Sequence, residues 1–119
     1  ETEPLNLAEI LAVSRAKFSH PPKVVDLFAG AGGFSLGARY AGAQVTFAVE
    51  FDKLAADTYR RNLCSDRKTT LYTEDISELD ADTLAKQHFP NGSECDLLLG
   101  GPPCQGFSTH RINNAGVND

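Results

Sequence analysis

The sequence has few cysteines, no long apolar run and no leader pattern at its start. No segment approaches the roughly 18 apolar residues of a membrane-spanning helix, and nothing resembles the basic and apolar regions of an export signal. The three cysteines, Cys64, Cys95 and Cys104, lack the paired spacing of a metal site, so no metal is expected. An odd set of this kind fits free thiols in a reducing, intracellular compartment.

Positive charge is also scarce. The sequence has 11 Lys and Arg residues and 16 Asp and Glu residues, which gives a formal net charge of -5. Because nucleic-acid affinity comes largely from cationic contacts with phosphates, these residues are a poor DNA-binding unit on their own. The rest of the composition, 41% hydrophobic and 23% charged over 119 residues, is that of one small globular domain.

The order of the predicted elements indicates an α/β fold. Residues 5–18 have the spacing of an amphipathic helix that Asn6 caps, and the segment Ser19–Pro22 ends it. From Lys23 onward strands and helices alternate, which is typical of a parallel sheet with flanking helices. We expect a partial sheet of about four strands in the spatial order 3-2-1-4. The predicted strands are Lys23–Phe28, Gln44–Glu50, Thr69–Tyr72 and Cys95–Leu99, and the predicted helices are Gly33–Ala41, Lys53–Asn62 and Ala81–His88.

A loop stiffened by glycine and proline follows the last predicted strand. The run Asp96–Leu99 is interpreted as a buried strand, and Gly100–Ser108 then reads Gly-Gly-Pro-Pro-Cys-Gln-Gly-Phe-Ser. Proline restricts its own backbone and that of the residue before it, so the loop is pre-shaped. Open α/β sheets bind ligands at the carboxyl ends of their strands. Cys104 in this position favours a nucleophile over a structural thiol.

A second candidate site is the glycine-rich turn after the first predicted strand. Residues 29–33 read Ala-Gly-Ala-Gly-Gly, between a buried strand and a helix that begins near Phe34. This is where α/β proteins place a nucleotide-like cofactor. Gly30 and Gly32 match the first two glycines of the dinucleotide fingerprint, but the third position is Ser35 rather than Gly or Ala. The turn predicts a cofactor cradle and indicates only weakly which cofactor; a helix-start turn of any α/β protein is the alternative.

The two motifs together resemble those of the DNA (cytosine-5) methyltransferases. Residues 26–35, Asp-Leu-Phe-Ala-Gly-Ala-Gly-Gly-Phe-Ser, are similar to the first motif of that family, and Gly100–Ser108 is similar to its catalytic motif, in the same order and at a typical separation. The resemblance extends from Pro22 to Asp119 and implies a Rossmann-like, S-adenosylmethionine-dependent methyltransferase fold. The related tRNA enzymes usually carry proline at the position of Gly106, which favours the DNA branch.

The resemblance implies S-adenosylmethionine as the cofactor. Glu50, at the end of a predicted strand, is placed to accept hydrogen bonds from both ribose hydroxyls, and a solvated carboxylate at a helix start is the alternative. Asp75 resembles the residue that reads the adenine edge, with a helix-capping role before Ser77 as its alternative. Phe28 matches the motif aromatic near the cofactor or is a core residue, and Asp26 is expected to organise the loop. The predicted cofactor-binding set is Phe28, Ala29, Gly30, Gly32, Gly33, Glu50, Phe51, Asp75, Ile76 and Pro102.

Cys104 is the catalytic residue that the resemblance implies. Carbon-5 of cytosine is too electron-poor to attack a methyl sulfonium unaided, whereas a thiolate that adds to carbon-6 makes carbon-5 nucleophilic. Because thiolate is the reactive form, the site is expected to promote deprotonation of the thiol. Carbon-6 is inaccessible in a stacked duplex, so the target base must be extruded. Cys64 and Cys95 are interpreted as buried structural cysteines.

Four residues of the same motif region are predicted to contact the extruded nucleotide or the DNA backbone. Pro103 would fix the direction of the cysteine and offer its carbonyl to the cytosine amino group. Gln105 and Ser108 suit contacts with phosphate or sugar. Arg111 is either a phosphate contact or a solvated loop residue.

The later elements of the family are absent from these 119 residues: there is no Glu-Asn-Val segment, no Gln-x-Arg-x-Arg element and no target-recognition region. We therefore expect an N-terminal helical extension, residues 1–21, and the N-terminal part of a methyltransferase catalytic domain, residues 22–119. A truncated or proteolysed fragment and one subunit of a split enzyme are both open. The fourth strand is expected to leave an apolar edge that invites pairing with another chain.

The resemblance to the DNA (cytosine-5) methyltransferases implies transfer of a methyl group from S-adenosylmethionine to carbon-5 of cytosine in DNA, through a covalent cysteine adduct. The expected partners are DNA and the missing C-terminal part or a second subunit. The expected location is the cytoplasm of a bacterium or the nucleus of a eukaryote. The alternatives are a cofactor-binding module that is inactive alone, an RNA cytosine methyltransferase and, more distantly, a thiol hydrolase.

Overall fold

The computed structural model describes residues 6–9 and 19–101, which are built around a four-stranded parallel sheet. The strands are β1 (Lys23–Leu27), β2 (Gln44–Val49), β3 (Thr70–Tyr72) and β4 (Leu97–Gly100), in the spatial order β3-β2-β1-β4. The helices are α1 (Gly33–Tyr40), α2 (Lys53–Leu63) and α3 (Ala81–His88), with a 3-10 turn at Ile76–Glu78. The predicted fold class and strand order are confirmed.

Alternation of side chains along the strands gives the sheet two apolar faces. On one face Ala48 of β2 packs with Ala29 and with Tyr59 and Leu63 of α2. On the other face Phe47 belongs to a cluster that joins the sheet to the 3-10 turn and α3. The remaining members of this cluster are Val25, Val49, Leu27, Tyr72, Ile76, Leu79, Leu84 and Phe89. Helices on both faces leave the carboxyl ends of the strands uncovered, where parallel sheets bind ligands.

The strand boundaries differ from the predicted ones where the backbone leaves the extended region. β1 ends at Leu27 because Phe28 has a φ of 54°, in the left-handed region that extended pairing excludes. β2 ends at Val49, so Glu50 is the first residue after the strand rather than its last. The other predicted limits are unchanged or shift by one or two residues, and the helix Ala81–His88 has both of its predicted limits.

β4 is not the buried strand that its run of leucines suggested. Leu97 is 49% exposed and Leu98 is 62% exposed. Within the described residues β4 pairs only with β1, so its outer edge has no strand beside it. The apolar open edge predicted from the sequence is therefore present. Cys95, expected to be buried, is exposed just before β4, whereas Cys64 is half-buried against the α2 side of the core.

Asn6 makes the capping hydrogen bonds that the sequence predicts near the start of the chain. Oδ1 of Asn6 accepts hydrogen bonds from the backbone N–H groups of Ala8 at 3.0 Å and Glu9 at 3.3 Å. The remainder of the predicted helix, residues 10–18, lies outside the described residues. In residues 6–9 and 19–101, no helix combines the length and apolar character that crossing a membrane requires.

A hydrogen bond between aromatic side chains holds α3 to the sheet. The Tyr72 hydroxyl lies 2.7 Å from Nε2 of His88, and the His88 ring packs on Phe47 with its centroid 4.7 Å away. Burial lowers the pKa of His88 below its ordinary value of 6.5. The folded protein therefore favours the neutral imidazole at this position.

Because the pKa of His88 is lowered by folding, the unfolded chain binds the proton more readily, and stability falls as the pH drops below 6.5. His88→Gln should remove this part of the pH dependence in urea unfolding between about pH 8 and pH 5. His20→Gln, at an exposed histidine, should leave it intact. The same pH dependence in the wild-type and His88→Gln proteins would contradict the assignment.

Candidate functional site

A cavity of about 700 Å³ lies at the carboxyl ends of the strands. This volume is within the range of roughly 300–1,000 Å³ that small-molecule sites occupy. The segments that follow all four strands contribute to it, because parallel strands end at the same edge of the sheet. The lining residues are Phe28, Gly30, Val49, Glu50, Phe51, Asp52, Lys53, Asp75, Ile76 and Gly101.

The turn after β1 forms one wall of the cavity through an unusual backbone path. Phe28, Gly30 and Gly32 all have positive φ, at 54°, 60° and 110°. Glycine adopts this conformation freely, whereas a residue such as phenylalanine loses about 1–2 kcal/mol in it. The Ala29 N–H donates to the Val49 carbonyl at 2.9 Å and ties the turn to β2. As a result the Phe28 ring is 38% exposed and faces the cavity instead of the core.

The three predicted glycines have different surroundings. A Cβ atom at Gly30 or Gly33 would meet no atom within 4 Å, so both leave open space beside the backbone. A Cβ atom at Gly32 would overlap the Leu63 side chain and lie 3.2 Å from the Tyr59 ring. Gly30 lines the cavity, whereas Gly32, Gly33 and the buried Ala29 do not, although all four were predicted to bind cofactor.

Glu50 joins two loops of the site through its carboxylate. Oε1 accepts a hydrogen bond from the Gly30 N–H at 2.7 Å, and Oε2 accepts one from the Asp52 N–H at 2.9 Å. The side chain is half-buried, so it is more than a solvated carboxylate at a helix start. A carboxylate has about four acceptor positions, so this arrangement leaves capacity for further donors such as ligand hydroxyls.

Asp75 lines the cavity and also caps the 3-10 turn. Its Oδ1 accepts hydrogen bonds from the Ser77 N–H at 3.0 Å and from the Ser77 hydroxyl at 2.9 Å. These hydrogen bonds, the backbone one first, lower the pKa of the Asp75 carboxyl. The sequence leaves adenine recognition and helix capping as alternatives for Asp75; the structure shows the capping bonds and also includes Asp75 in the cavity lining. Ile76, the next residue, lies on the same wall.

Sequence reasoning missed Asp52 and Lys53, which also line the cavity. Oδ2 of Asp52 accepts from the Ala55 N–H at 2.9 Å and caps α2. An aspartate directly before a predicted helix is a recognisable capping signal. With these two residues included, the lining holds three carboxylates and one ammonium group. Its excess of negative charge suits a ligand that carries positive charge.

Six predicted site residues lie outside the described part of the chain: Cys104, Pro102, Pro103, Gln105, Ser108 and Arg111. Gly101, immediately before them, lines the cavity. A Cβ atom at Gly101 would come within 3.0 Å of the Phe34 ring of α1. The described chain therefore reaches the predicted catalytic motif at the rim of the cavity.

The family model of the C-5 cytosine-specific DNA methylases matches residues 22–119 of the chain. Type II methyltransferase M.DdeI of Desulfomicrobium norvegicum is 44% identical over 85 residues, which are 71% of this chain and 19% of that protein. Type II methyltransferase M.HgiGI of Herpetosiphon aurantiacus is 40% identical over 96 residues, which are 80% of this chain and 69% of that protein. The chain spans only 19–28% of the length of M.DdeI, M1.HphI and M.HgiDI.

Solved structures with the same fold are also methyltransferases by description. One, from an E. coli prophage and described as a DNA modification methyltransferase, is 44% identical with a TM-score of 0.60 over 72% of this chain and 24% of that one. One from Pyrococcus horikoshii, described as an RNA methyltransferase, is 30% identical with a TM-score of 0.53, and the match covers 82% of this chain and 44% of that one. A SAM-dependent methyltransferase from Agrobacterium tumefaciens is 27% identical with a TM-score of 0.52, and the match covers 82% of this chain and 31% of that one.

The contrast between the adjacent glycines is open to a direct test. Gly32→Ala should lower the free energy of unfolding by about 1–3 kcal/mol, because the new methyl group strains the left-handed backbone and overlaps Leu63. Gly33→Ala, at a helical position with open space, should change it by less than about 1 kcal/mol in the stabilising direction. Urea unfolding measures both. Equal effects of the two substitutions would contradict the packing described for Gly32.

Proposed function

We propose, because the chain belongs to the C-5 cytosine-specific DNA methylase family, that it forms the part of such an enzyme that holds the methyl donor and carries the catalytic cysteine. The observation that carries the proposal is the cavity at the strand ends, with Glu50 bound to the glycine turn on its wall and the Cys104 motif next in the chain. Residues 22–119 would be the N-terminal part of the catalytic domain, and residues 1–21 an extension.

The lining residues fit S-adenosylmethionine. The remaining acceptor capacity of Glu50 suits the two ribose hydroxyls, and Asp75 suits the exocyclic amine of adenine. Phe28 and Phe51 are exposed aromatic residues that line the cavity, and an aromatic ring there would suit packing against the adenine base. Open space beside Gly30 lets a ligand approach the backbone. When bound, the cofactor supplies an electrophilic methyl group on a positively charged sulfur, which the carboxylate-rich lining favours.

Cys104 is the proposed nucleophile toward the cytosine ring. Its thiolate adds to carbon-6, forms a sulfur–carbon bond and moves electron density to carbon-5, which then takes the methyl group. Loss of the proton from carbon-5 and breakage of the sulfur–carbon bond restore the ring and the thiolate. Pro103, Gln105, Ser108 and Arg111 are proposed to hold the extruded nucleotide and its backbone, and Pro102 to border the cofactor.

Two observations support the need for further polypeptide, either a continuation of this chain or a separate subunit. The outer edge of β4 is apolar and unpaired within the described residues, with Leu97 and Leu98 exposed. An apolar groove of about 580 Å³ also runs between the sheet and α3, beside Phe47, Leu84 and Leu98. The net charge of -5 leaves the basic surface that DNA requires to that additional part.

The Type II relatives favour a bacterial restriction-modification role, acting on DNA in the cytoplasm. An RNA cytosine methyltransferase is the second candidate, because the P. horikoshii structure described as an RNA methyltransferase has the same fold at 30% identity. A cofactor-binding module without activity of its own is the third. Methyl transfer by the complete protein to DNA but not to tRNA would favour the first proposal over the second, and cofactor binding without methyl transfer would favour the third.

Glu50 is the most direct test of the cofactor assignment. In the complete protein, Glu50→Ala should weaken S-adenosylmethionine binding by roughly 1–3 kcal/mol, because two ribose hydrogen bonds are lost. Glu50→Gln, which keeps one acceptor oxygen, should have an intermediate effect. Isothermal titration calorimetry measures the affinity, with Glu78→Ala, an exposed carboxylate on the 3-10 turn, as the matched control. Unchanged affinity in Glu50→Ala would remove Glu50 from the site.

The assignment of Cys104 can be tested by covalent trapping. A DNA substrate with 5-fluorocytosine cannot lose a proton from carbon-5, so the sulfur–carbon bond should persist when the methyl donor is present. The complete protein should form this adduct, visible as a band shift on denaturing gels. Cys104→Ser should abolish it, whereas Cys64→Ser and Cys95→Ser should not. An adduct that survives Cys104→Ser would refute the assignment, and robust methylation by the 119-residue chain alone would refute the need for further polypeptide.

A further inference from the structure

Three polar side chains are buried together beneath the glycine turn, and the proposed reaction uses none of them. Asp26 of β1, Ser35 of α1 and Tyr59 of α2 are each 0% exposed. The Ser35 hydroxyl donates to Oδ2 of Asp26 at 2.5 Å and lies 2.8 Å from the Tyr59 hydroxyl. Ser35 occupies the position where the dinucleotide fingerprint has glycine or alanine. The serine that departs from the fingerprint therefore makes specific hydrogen bonds with two buried side chains.

The two hydrogen bonds that join Tyr59, Ser35 and Asp26 have a defined direction from donor to acceptor. A serine hydroxyl has one proton, and Ser35 gives it to the Asp26 carboxylate, so Tyr59 is the donor to the Ser35 oxygen. Burial raises the pKa of Tyr59 to about 12, which keeps its proton in place. The hydrogen bonds thus run from α2 through α1 to the carboxyl group of Asp26 on β1. Burial raises the pKa of this carboxyl, and the hydrogen bond from Ser35 works in the opposite direction.

The position of these hydrogen bonds matters because they join residues at the two ends of the glycine turn. Asp26 and Ser35 lie just before and just after residues 28–33, and the Tyr59 ring lies against Gly32. The Glu50 carboxylate, which lines the cavity, accepts a hydrogen bond from the Gly30 N–H within the turn. The turn is therefore held at its two ends by the Asp26–Ser35–Tyr59 hydrogen bonds and at Gly30 by Glu50.

A purely structural role does not account well for these residues. Buried polar groups lose their hydration, and apolar residues of similar size often replace them with no loss of stability. Oδ1 of Asp26 has no hydrogen-bond partner among the described residues, which adds to that cost. A buried polar cluster that joins both ends of the candidate cofactor turn is better explained by what it does to the turn.

We propose that Asp26, Ser35 and Tyr59 are positioning residues for the cofactor, which hold the glycine turn and the Gly30 N–H in the geometry that binds it. This inference rests on the proposed function, since it names the groups that shape the same site. It predicts that loss of the Tyr59 or Ser35 hydroxyl weakens cofactor binding in a way that a similar loss elsewhere in the fold does not.

The test uses the complete protein and four variants: Tyr59→Phe, Ser35→Ala, the double variant of both, and Tyr72→Phe as the matched control. Tyr72→Phe also removes one tyrosine hydroxyl with a hydrogen-bond partner, but on the α3 side of the sheet. Titration calorimetry with S-adenosylmethionine gives the affinity, and thermal unfolding without cofactor gives the stability. For the steady-state reaction, KM for the cofactor, KM for DNA and kcat are compared.

Tyr59→Phe removes one hydrogen bond of the cluster and Ser35→Ala removes both, and each should weaken S-adenosylmethionine binding by about three- to tenfold. KM for the cofactor should rise by the same factor, with kcat and KM for DNA within about twofold of wild type. The double variant should bind no more weakly than the weaker single variant, because both changes break one chain. Tyr72→Phe should lower thermal stability without changing the affinity.

Cofactor affinities of both single variants within about twofold of wild type, alongside stability losses like that of Tyr72→Phe, would overturn the inference. If Tyr59→Phe does not fold, Ser35→Ala, which removes a single oxygen, decides by the same titration. Failure of the wild-type protein to bind S-adenosylmethionine would instead overturn the proposed cofactor site itself. Binding by wild type with unchanged variants overturns only the positioning role.

Discussion

The hydrogen bonds of one carboxylate, Glu50, hold the candidate site together. They join the Gly30 N–H of the turn after β1 to the Asp52 N–H at the start of α2, at 2.7 Å and 2.9 Å. The Ala29–Val49 hydrogen bond and the packing of Gly32 on α2 add to this link between the two segments. Because Glu50 immediately follows a central strand, a rigid parallel ladder on both sides fixes the position of its backbone.

The turn beside Glu50 depends on packing as well as on hydrogen bonding. Gly32 must lack a side chain because Leu63 and Tyr59 of α2 lie against it, whereas Gly30 must lack one to keep the cavity wall open. The same short motif thus combines close helix packing at Gly32 with open space on the cavity wall at Gly30.

The described part of the fold is well packed at β2 and poorly covered at β4. β2 has strands on both sides and apolar clusters on both faces, whereas β4 has one neighbour and two exposed leucines. Together with the negative net charge, this asymmetry supports the proposed need for additional polypeptide. Gly100, the first residue of the predicted catalytic motif, is the last residue of this exposed strand.

The sequence alone was sufficient for the fold class, the strand order and the gathering of Phe28, Gly30, Glu50 and Asp75 at one edge, because strand–helix alternation and residues next to strand ends are local features. It predicted the open edge of β4 but not the exposure of Leu97 and Leu98, since a run of leucines reads the same whether or not the faces of the strand are covered. Nor did it disclose the Ser35–Tyr59 hydrogen bond, whose partners are 24 residues apart. Contacts of that kind depend on how helices pack on the sheet, and only the tertiary structure decides them.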